Sequence, residues 1–324
     1  GWEGSANSLY LLSLGQNLFD AGYDVVRLNL RDHGDSHHLN SGLFHSCRIA
    51  EVVGAVRELQ RQHPGQRLVL AGFSLGGNFC LRVGARAAAA GIAVSRIVAV
   101  CPVIDPEHTL ARLESGWALY REYFVWKWRR SLRRKREAWP DVYHSLDDIL
   151  ELGNLTEMTH RLACGYGGFP SLPEYLRGYA LVDRALEPLA ALRDTRVRII
   201  AADDDPIIPA VDLERIARSS VLTITRTRYG GHCGFYDGVA GSTWVEPSEV
   251  APRKATVALA GIGTSGFRSD VMDGGEQAAT ARRTAASASR EGRLPRMERC
   301  MGTTSMGVGR RIAWVQNERE IVAG

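Results

Sequence analysis

The feature that most constrains this chain is Gly72-Phe73-Ser74-Leu75-Gly76, set between the apolar run Arg67-Leu-Val-Leu-Ala71 and a helix-compatible run from Gly77. Strand, tight turn and helix with a serine at the apex predict a nucleophile elbow. The turn strains the serine backbone, and glycines two residues before and after it let strand and helix approach closely. A serine hydroxyl is a weak nucleophile until a base takes its proton. An elbow therefore requires a histidine and an orienting carboxylate further along.

Both follow downstream. His232 lies in Tyr229-Gly-Gly-His232-Cys-Gly-Phe235, just past the β-branched run Val221-Leu-Thr-Ile-Thr225, on a loop that can swing its ring over the serine. The acid lies in Asp203-Asp204-Asp205-Pro-Ile-Ile-Pro209, after the strand-like Arg196-Val-Arg-Ile-Ile200. Asp205 is favoured because Pro-Ile-Ile-Pro follows it; Asp204, and Asp105 after the preceding strand, are its rivals. The order Ser74, Asp205, His232 is the α/β-hydrolase order and differs from the chymotrypsin and subtilisin orders.

Four separated segments in register then carry a resemblance: Gly1-Trp-Glu-Gly4-Ser-Ala-Asn-Ser8, Asn29-Leu-Arg-Asp-His33-Gly34-Asp-Ser36, Gly72-Phe-Ser74-Leu-Gly-Gly77-Asn78 and Gly230-Gly-His232-Cys-Gly-Phe235. Over about Gly1 to Glu246 the chain resembles the YheT-like α/β-hydrolases, relatives of the ABHD lipases. That resemblance implies an oxyanion hole made by the backbone N–H groups of Trp2 and Leu75. It also implies that the histidine opening the oxyanion loop, and the strands before it, are missing, so the chain reads as N-terminally truncated.

The rest of the pattern agrees with such a core. Ser8 to Ala21 carries Leu11, Leu14 and Leu18 at helical spacing and stops at Gly22. Tyr23 to Leu30 reads as a strand, Ser46 to Gln62 as a helix with Ile49, Val52, Val53, Val56 and Leu59 on one face, and Arg96 to Val103 as a strand. Alternating strand and helix predict a mostly parallel sheet with helices on both faces, its site at the carboxyl edge. The expected layout is a first core part (1–104), a helical cap (105–190), a second core part (191–246) and an atypical tail (247–324) read as disordered, although Arg311 to Gln316 has the pattern of an isolated strand.

In the cap, Trp117, Tyr120, Tyr123, Phe124, Trp126 and Trp128 interleave with Lys127, Arg129, Arg130, Arg133, Arg134, Lys135 and Arg136. Two readings follow. In one, an amphipathic lid lines an acyl pocket with its aromatics while its cations make a peripheral membrane contact or meet an anionic head group. In the other, a solvated helix packs its aromatic stripe on the core.

Composition narrows the partners. The net charge is +4, and Lys127, Lys135 and Lys254 are the only lysines, a balance that points to no nucleic-acid partner. No uninterrupted apolar run is long enough to span a bilayer. Cys47, Cys80, Cys101, Cys164, Cys233 and Cys300 show no zinc spacing and read as buried free thiols of a cytoplasmic protein. Asp32, His33, Asp35, His37 and His38 superficially resemble metal ligands, but the resemblance makes this a loop that supports the pocket. His232 and Asp237 also fit a His-x4-Asp acyltransferase pattern, a match with few fixed positions. The expectation is a serine esterase that needs no cofactor or metal and acts on a small-molecule or lipid carboxylic ester through an acyl-enzyme. The alternatives are an acyltransferase using the same intermediate and a catalytically inactive fragment.

Overall fold

Alternating burial along the elbow strand sets the architecture. In β2 (Arg67–Phe73), following β1 (Asp24–Asn29), Val69, Ala71 and Phe73 enter one apolar cluster while Leu68 and Leu70 enter another on the opposite face. Both faces are therefore covered, as a parallel sheet requires. The computed structural model describes residues 1–237, 242–243, 255–260, 301–305 and 311–316.

On one face lies helix α1 (Leu9–Asp20), which buries Leu11, Leu14 and Leu18 at helical spacing. Fully burying each such leucine is worth about 1.5–3 kcal/mol. The helix closes as the sequence predicts: Gly22 takes φ 96° and the Tyr23 N–H donates to the Leu18 carbonyl, satisfying a terminal acceptor. On the other face lie α2 (Ile49–Gln62) and α3 (Leu75–Ala90), packed over Leu68, Leu70 and Ile97.

The sheet continues with β3 (Val94–Val100), β4 (Arg196–Ala202) and β5 (Leu222–Thr227). The third strand starts two residues before its expected start and ends three residues before its expected end: Pro102 cannot donate to a ladder, and the chain leaves the sheet at Cys101, whose φ is 42°. A two-stranded ribbon follows, β6 (Tyr236–Asp237) with β7 (Ser242–Thr243).

The tail corrects one expectation. Three of its segments, β8 (Ala255–Ala260), β9 (Met301–Ser305) and β10 (Arg311–Gln316), join the main sheet instead of being disordered. The eight strands run in the order β5-β4-β3-β2-β8-β1-β10-β9, with β9 antiparallel to its neighbour and the other pairs parallel. Arg311 to Gln316 is thus paired on both sides and not isolated, and β8 lies between the elbow strand and β1. The expected start of a closing helix at Trp244 lies outside the described residues.

Between β3 and β4 stands the cap: α4 (Pro106–Ser115), α5 (Ala118–Ala138), α6 (Pro140–Tyr143), α7 (Asp147–Glu151), α8 (Leu155–Gly165) and α9 (Leu172–Arg177). Asp105 caps α4 by accepting from the Glu107 N–H at 3.0 Å, and Asn154 caps α8 from the Glu157 N–H at 2.7 Å. Lys135 departs from the solvated or membrane-facing cation expected on α5. It is fully buried, and its ammonium donates to Asp32 Oδ1 at 2.7 Å and to the Asn40 and Gly42 carbonyls at 2.5 and 2.9 Å. Among the described residues no helix is long and apolar enough to cross a membrane.

Candidate active site

The chain turns at Ser74 because its neighbours have no side chains to obstruct it. A Cβ on Gly72 would lie 2.4 Å from the Gly76 carbonyl oxygen, and the strand would have to pull away from α3. Ser74 itself takes φ 50° and is buried, held by its N–H on the Val100 carbonyl at 2.8 Å. A positive φ on a non-glycine residue is strained, and it persists here because strand and helix fix both ends of the turn. Leu75 opens α3, so its N–H is one of the helix's first four donors, which have no intrahelical acceptor.

Asp205 follows β4 at the same edge of the sheet. Its Oδ1 accepts from the Ile207 and Ile208 N–H groups at 2.8 and 3.0 Å, which fixes the carboxylate before any histidine arrives. His232 Nδ1 lies 2.9 Å from Asp205 Oδ2 and 3.1 Å from Oδ1. A carboxylate only accepts, so Nδ1 carries the proton and Nε2 presents its lone pair. Nε2 is buried without a hydrogen-bond partner, and His232 and Ser74 line one cavity.

The rival acids have other tasks. Asp204 accepts from the Gly231 N–H at 2.8 Å and thereby holds the histidine loop. Asp105 caps α4 and pairs with Arg215. The histidine loop is itself tight: a Cβ on Gly230 would meet the Phe235 ring at 2.3 Å. The side chain of Asp237 lies outside the described residues.

Trp2 also reaches the cavity. It stacks on Phe124 with centroids 5.3 Å apart and meets Trp128 edge-on at 4.8 Å. The cavity holds about 90 Å³ and is lined largely by apolar cap side chains, among them Leu110, Leu113 and Leu176. The aromatic residues of this helix divide between two environments. Phe124 and Trp128 wall the cavity, whereas Trp117 and Trp126 face solvent, 76% and 52% exposed.

Within the histidine and aspartate cluster, His33 braces the loop bearing Trp2, while Asp32, Asp35 and His37 meet the long cap helix. His33 Nδ1 donates to the Arg31 carbonyl at 2.7 Å, leaving Nε2 to accept from the Glu3 N–H at 3.1 Å. Burial pushes the His33 imidazole down to about 3, so the ring stays neutral and keeps that lone pair. Asn29 Oδ1 accepts from the Ala6 N–H at 2.7 Å, and Lys127 donates to the Glu3 carbonyl at 3.2 Å. Desolvation pushes the Glu3 carboxyl up to about 8. Asp32 pairs with Lys135, Asp35 with Arg134, and His37 Nε2 lies 2.8 Å from Ser131 Oγ. The motif around His33 was visible in the sequence; Lys135, its buried counterpart, was masked by the six other cations around it.

A family model described as alpha/beta hydrolase fold matches residues 1–239. Over 248 residues the chain is 23% identical to phospholipase ABHD3 of Mus musculus, an alignment covering 74% of this chain and 57% of that protein. The chain thus spans little more than half the length of that relative. It is 24% identical over 247 residues to the candidate esterase YheT of Escherichia coli (strain K12), covering 74% of this chain and 69% of that one. Among solved structures, a serine hydrolase of the bacterium Cycloclasticus zankles is 15% identical, covers 67% of this chain and 86% of its own, and superposes with a TM-score of 0.42.

Proposed function

The chain belongs to the α/β-hydrolase fold family, and from that premise we propose that it is a serine hydrolase cleaving carboxylic esters through an acyl-enzyme. The observation that carries this reading is the hydrogen bond between His232 Nδ1 and Asp205 at 2.9 Å, with Nε2 left unpartnered in the cavity that Ser74 enters from its elbow. Ser74 attacks the ester carbonyl. His232 takes the hydroxyl proton at Nε2 and returns it to the leaving alcohol, while Asp205 holds the ring in the productive tautomer and stabilises its charged form. The N–H groups of Leu75 and Trp2 receive the oxyanion, a contribution usually worth a few kcal/mol of barrier. Water then releases the acid, and His232 acts as base a second time.

Two features support a lipid ester. The cavity wall is largely apolar, and much of it is supplied by the cap. A separate cleft of about 310 Å³, lined by Lys127, Arg130 and Arg134 together with Glu3 and Asp32, holds more cations than carboxylates, which supports an anionic head group. The names of the relatives, a phospholipase and a candidate esterase, agree with such a substrate. Exposed Trp117, Leu119 and Trp126 beside the arginines of α5 support a peripheral membrane contact.

Intact-mass labelling with a fluorophosphonate tests the reading, with circular dichroism recorded on the same samples. A single adduct on the wild type, absent from a folded Ser74→Ala variant, is the expected result. Wild-type-like ester turnover in that variant would overturn it.

A further inference from the structure

Two cysteines far apart in sequence flank the histidine. Cys101 directly follows β3 and Cys233 directly follows His232; both hold positive φ, 42° and 64°, a conformation that non-glycine residues adopt only under constraint. Cys101 is fixed by its N–H on the Ile200 carbonyl at 2.7 Å. The Cys101 thiol donates to the Gly231 carbonyl at 3.7 Å and the Cys233 thiol to the Val100 carbonyl at 3.8 Å, and their sulfurs and a ring nitrogen of His232 all lie within 4.8 Å of one another.

That bound leaves room for the closer spacing a tetrahedral ion demands. With metal–sulfur bonds of about 2.3 Å and metal–nitrogen bonds of about 2.0–2.1 Å, donor atoms stand roughly 3.5–3.8 Å apart. The donor set also has the right character: two sulfurs and an imidazole suit zinc-class cations, and two thiolates balance the ion's charge. The His232 side chain is 3% exposed with Nε2 unpartnered, so a nitrogen lone pair stands ready. Asp205 on Nδ1 completes the carboxylate–histidine arrangement that orients metal-bound imidazoles.

We infer that Cys101, Cys233 and His232 form a binding site for a zinc-class divalent cation that takes a ring nitrogen of His232 and thereby reversibly switches off the serine centre. On binding, each thiol releases its proton to solvent and the metal takes the sulfur and nitrogen lone pairs. His232 can then no longer receive the Ser74 proton. Metal binding itself needs nothing from Ser74; the inhibition rests on the proposed hydrolase reading.

The test uses the full chain, kept reduced with a phosphine, and cobalt(II) as the probe. One equivalent should give a thiolate-to-cobalt charge-transfer band in the near ultraviolet that zinc displaces. Cys101→Ser and Cys233→Ser, each checked for fold by circular dichroism, should each weaken binding beyond the roughly 10- to 100-fold that loss of an outer partner costs. Zinc should slow fluorophosphonate labelling of wild-type Ser74 by at least about tenfold, reversibly on chelation, and spare the serine variants. Zinc-edge X-ray absorption of the wild type, which needs no variant, should show two sulfur neighbours. A folded wild type with no charge-transfer band, a zinc shell of nitrogen and oxygen alone, or a band unchanged in both variants would overturn the inference. A correct band on a chain that never labels would sink the hydrolase reading and leave the metal site standing.

Discussion

Acidification should expose the burial of His33. Its pKa is about 3 in the folded chain, against an ordinary value near 6.5. Between those values the unfolded chain binds more protons, so the stabilisation is complete above about 6.5 and is lost as pH falls toward 3. The full window corresponds to roughly 4 to 5 kcal/mol, of which about 2 kcal/mol is gone by pH 5. Other groups act in the same interval. His37 and His45, each pushed down to about 4 by burial, add loss in the same direction. Glu3, pushed up to about 8, opposes them, because there the folded chain binds more protons and gains stability as pH falls.

The measurement must therefore be differential. His33→Gln keeps a polar group able to accept from the Glu3 N–H without titrating, and the other groups are common to both proteins. Urea unfolding followed by circular dichroism at pH 7 and pH 5 should show the wild type's advantage over His33→Gln shrinking by about 2 kcal/mol. An advantage that is constant between the two pH values would mean that His33 is not held neutral. The brace described for the Trp2 loop would then be wrong.

Two further outcomes follow from the same geometry. Asp205→Asn should lower ester turnover by about 10⁴-fold, since an amide stabilises the wrong histidine tautomer, whereas Asp204→Asn keeps an acceptor for Gly231 and should cost less than about tenfold; steady-state kinetics showing the reverse ranking would reassign the acid. Lys135→Met should cost about 3–5 kcal/mol by leaving the Asp32 carboxylate buried without its cation, and adding Asp32→Asn should restore part of that, both read by urea unfolding.

The elements that set this site were legible because each obeys a local rule. The glycine pair around Ser74 permits one kind of turn, and Leu11, Leu14 and Leu18 can share a buried face only on a helix. Asp205 could be favoured over Asp204 by its spacing to the prolines, but what separates them physically is burial, the backbone donors each accepts from and the His232 ring on Asp205, all properties of the folded loop. Lys135 was illegible for a related reason. A buried lysine looks like any other in a run of cations, and what distinguishes it is Asp32 together with two carbonyls about a hundred residues away. Cys101 and Cys233 likewise have no spacing in the chain; strands β3 and β5, with β4 between them, bring them together. Of the strands formed by the tail, β10 was legible as a strand, whereas β8 and β9 were missed because Ala, Gly and Thr dominate them, and such residues signal turns as readily as sheet interiors.

The buried ammonium of Lys135 also decides how the cap can move. All three of its protons are used on the loop between Asp32 and Gly42, and Trp139 and Tyr143 donate to the same loop through the His37 and Ser41 carbonyls. The carboxyl end of α5 is therefore an anchor, and swinging it away would strand charges in a dry interior. The amino end, around Trp117 and Leu119, is by contrast exposed. Amide exchange along α5 should accordingly run from fast to slow.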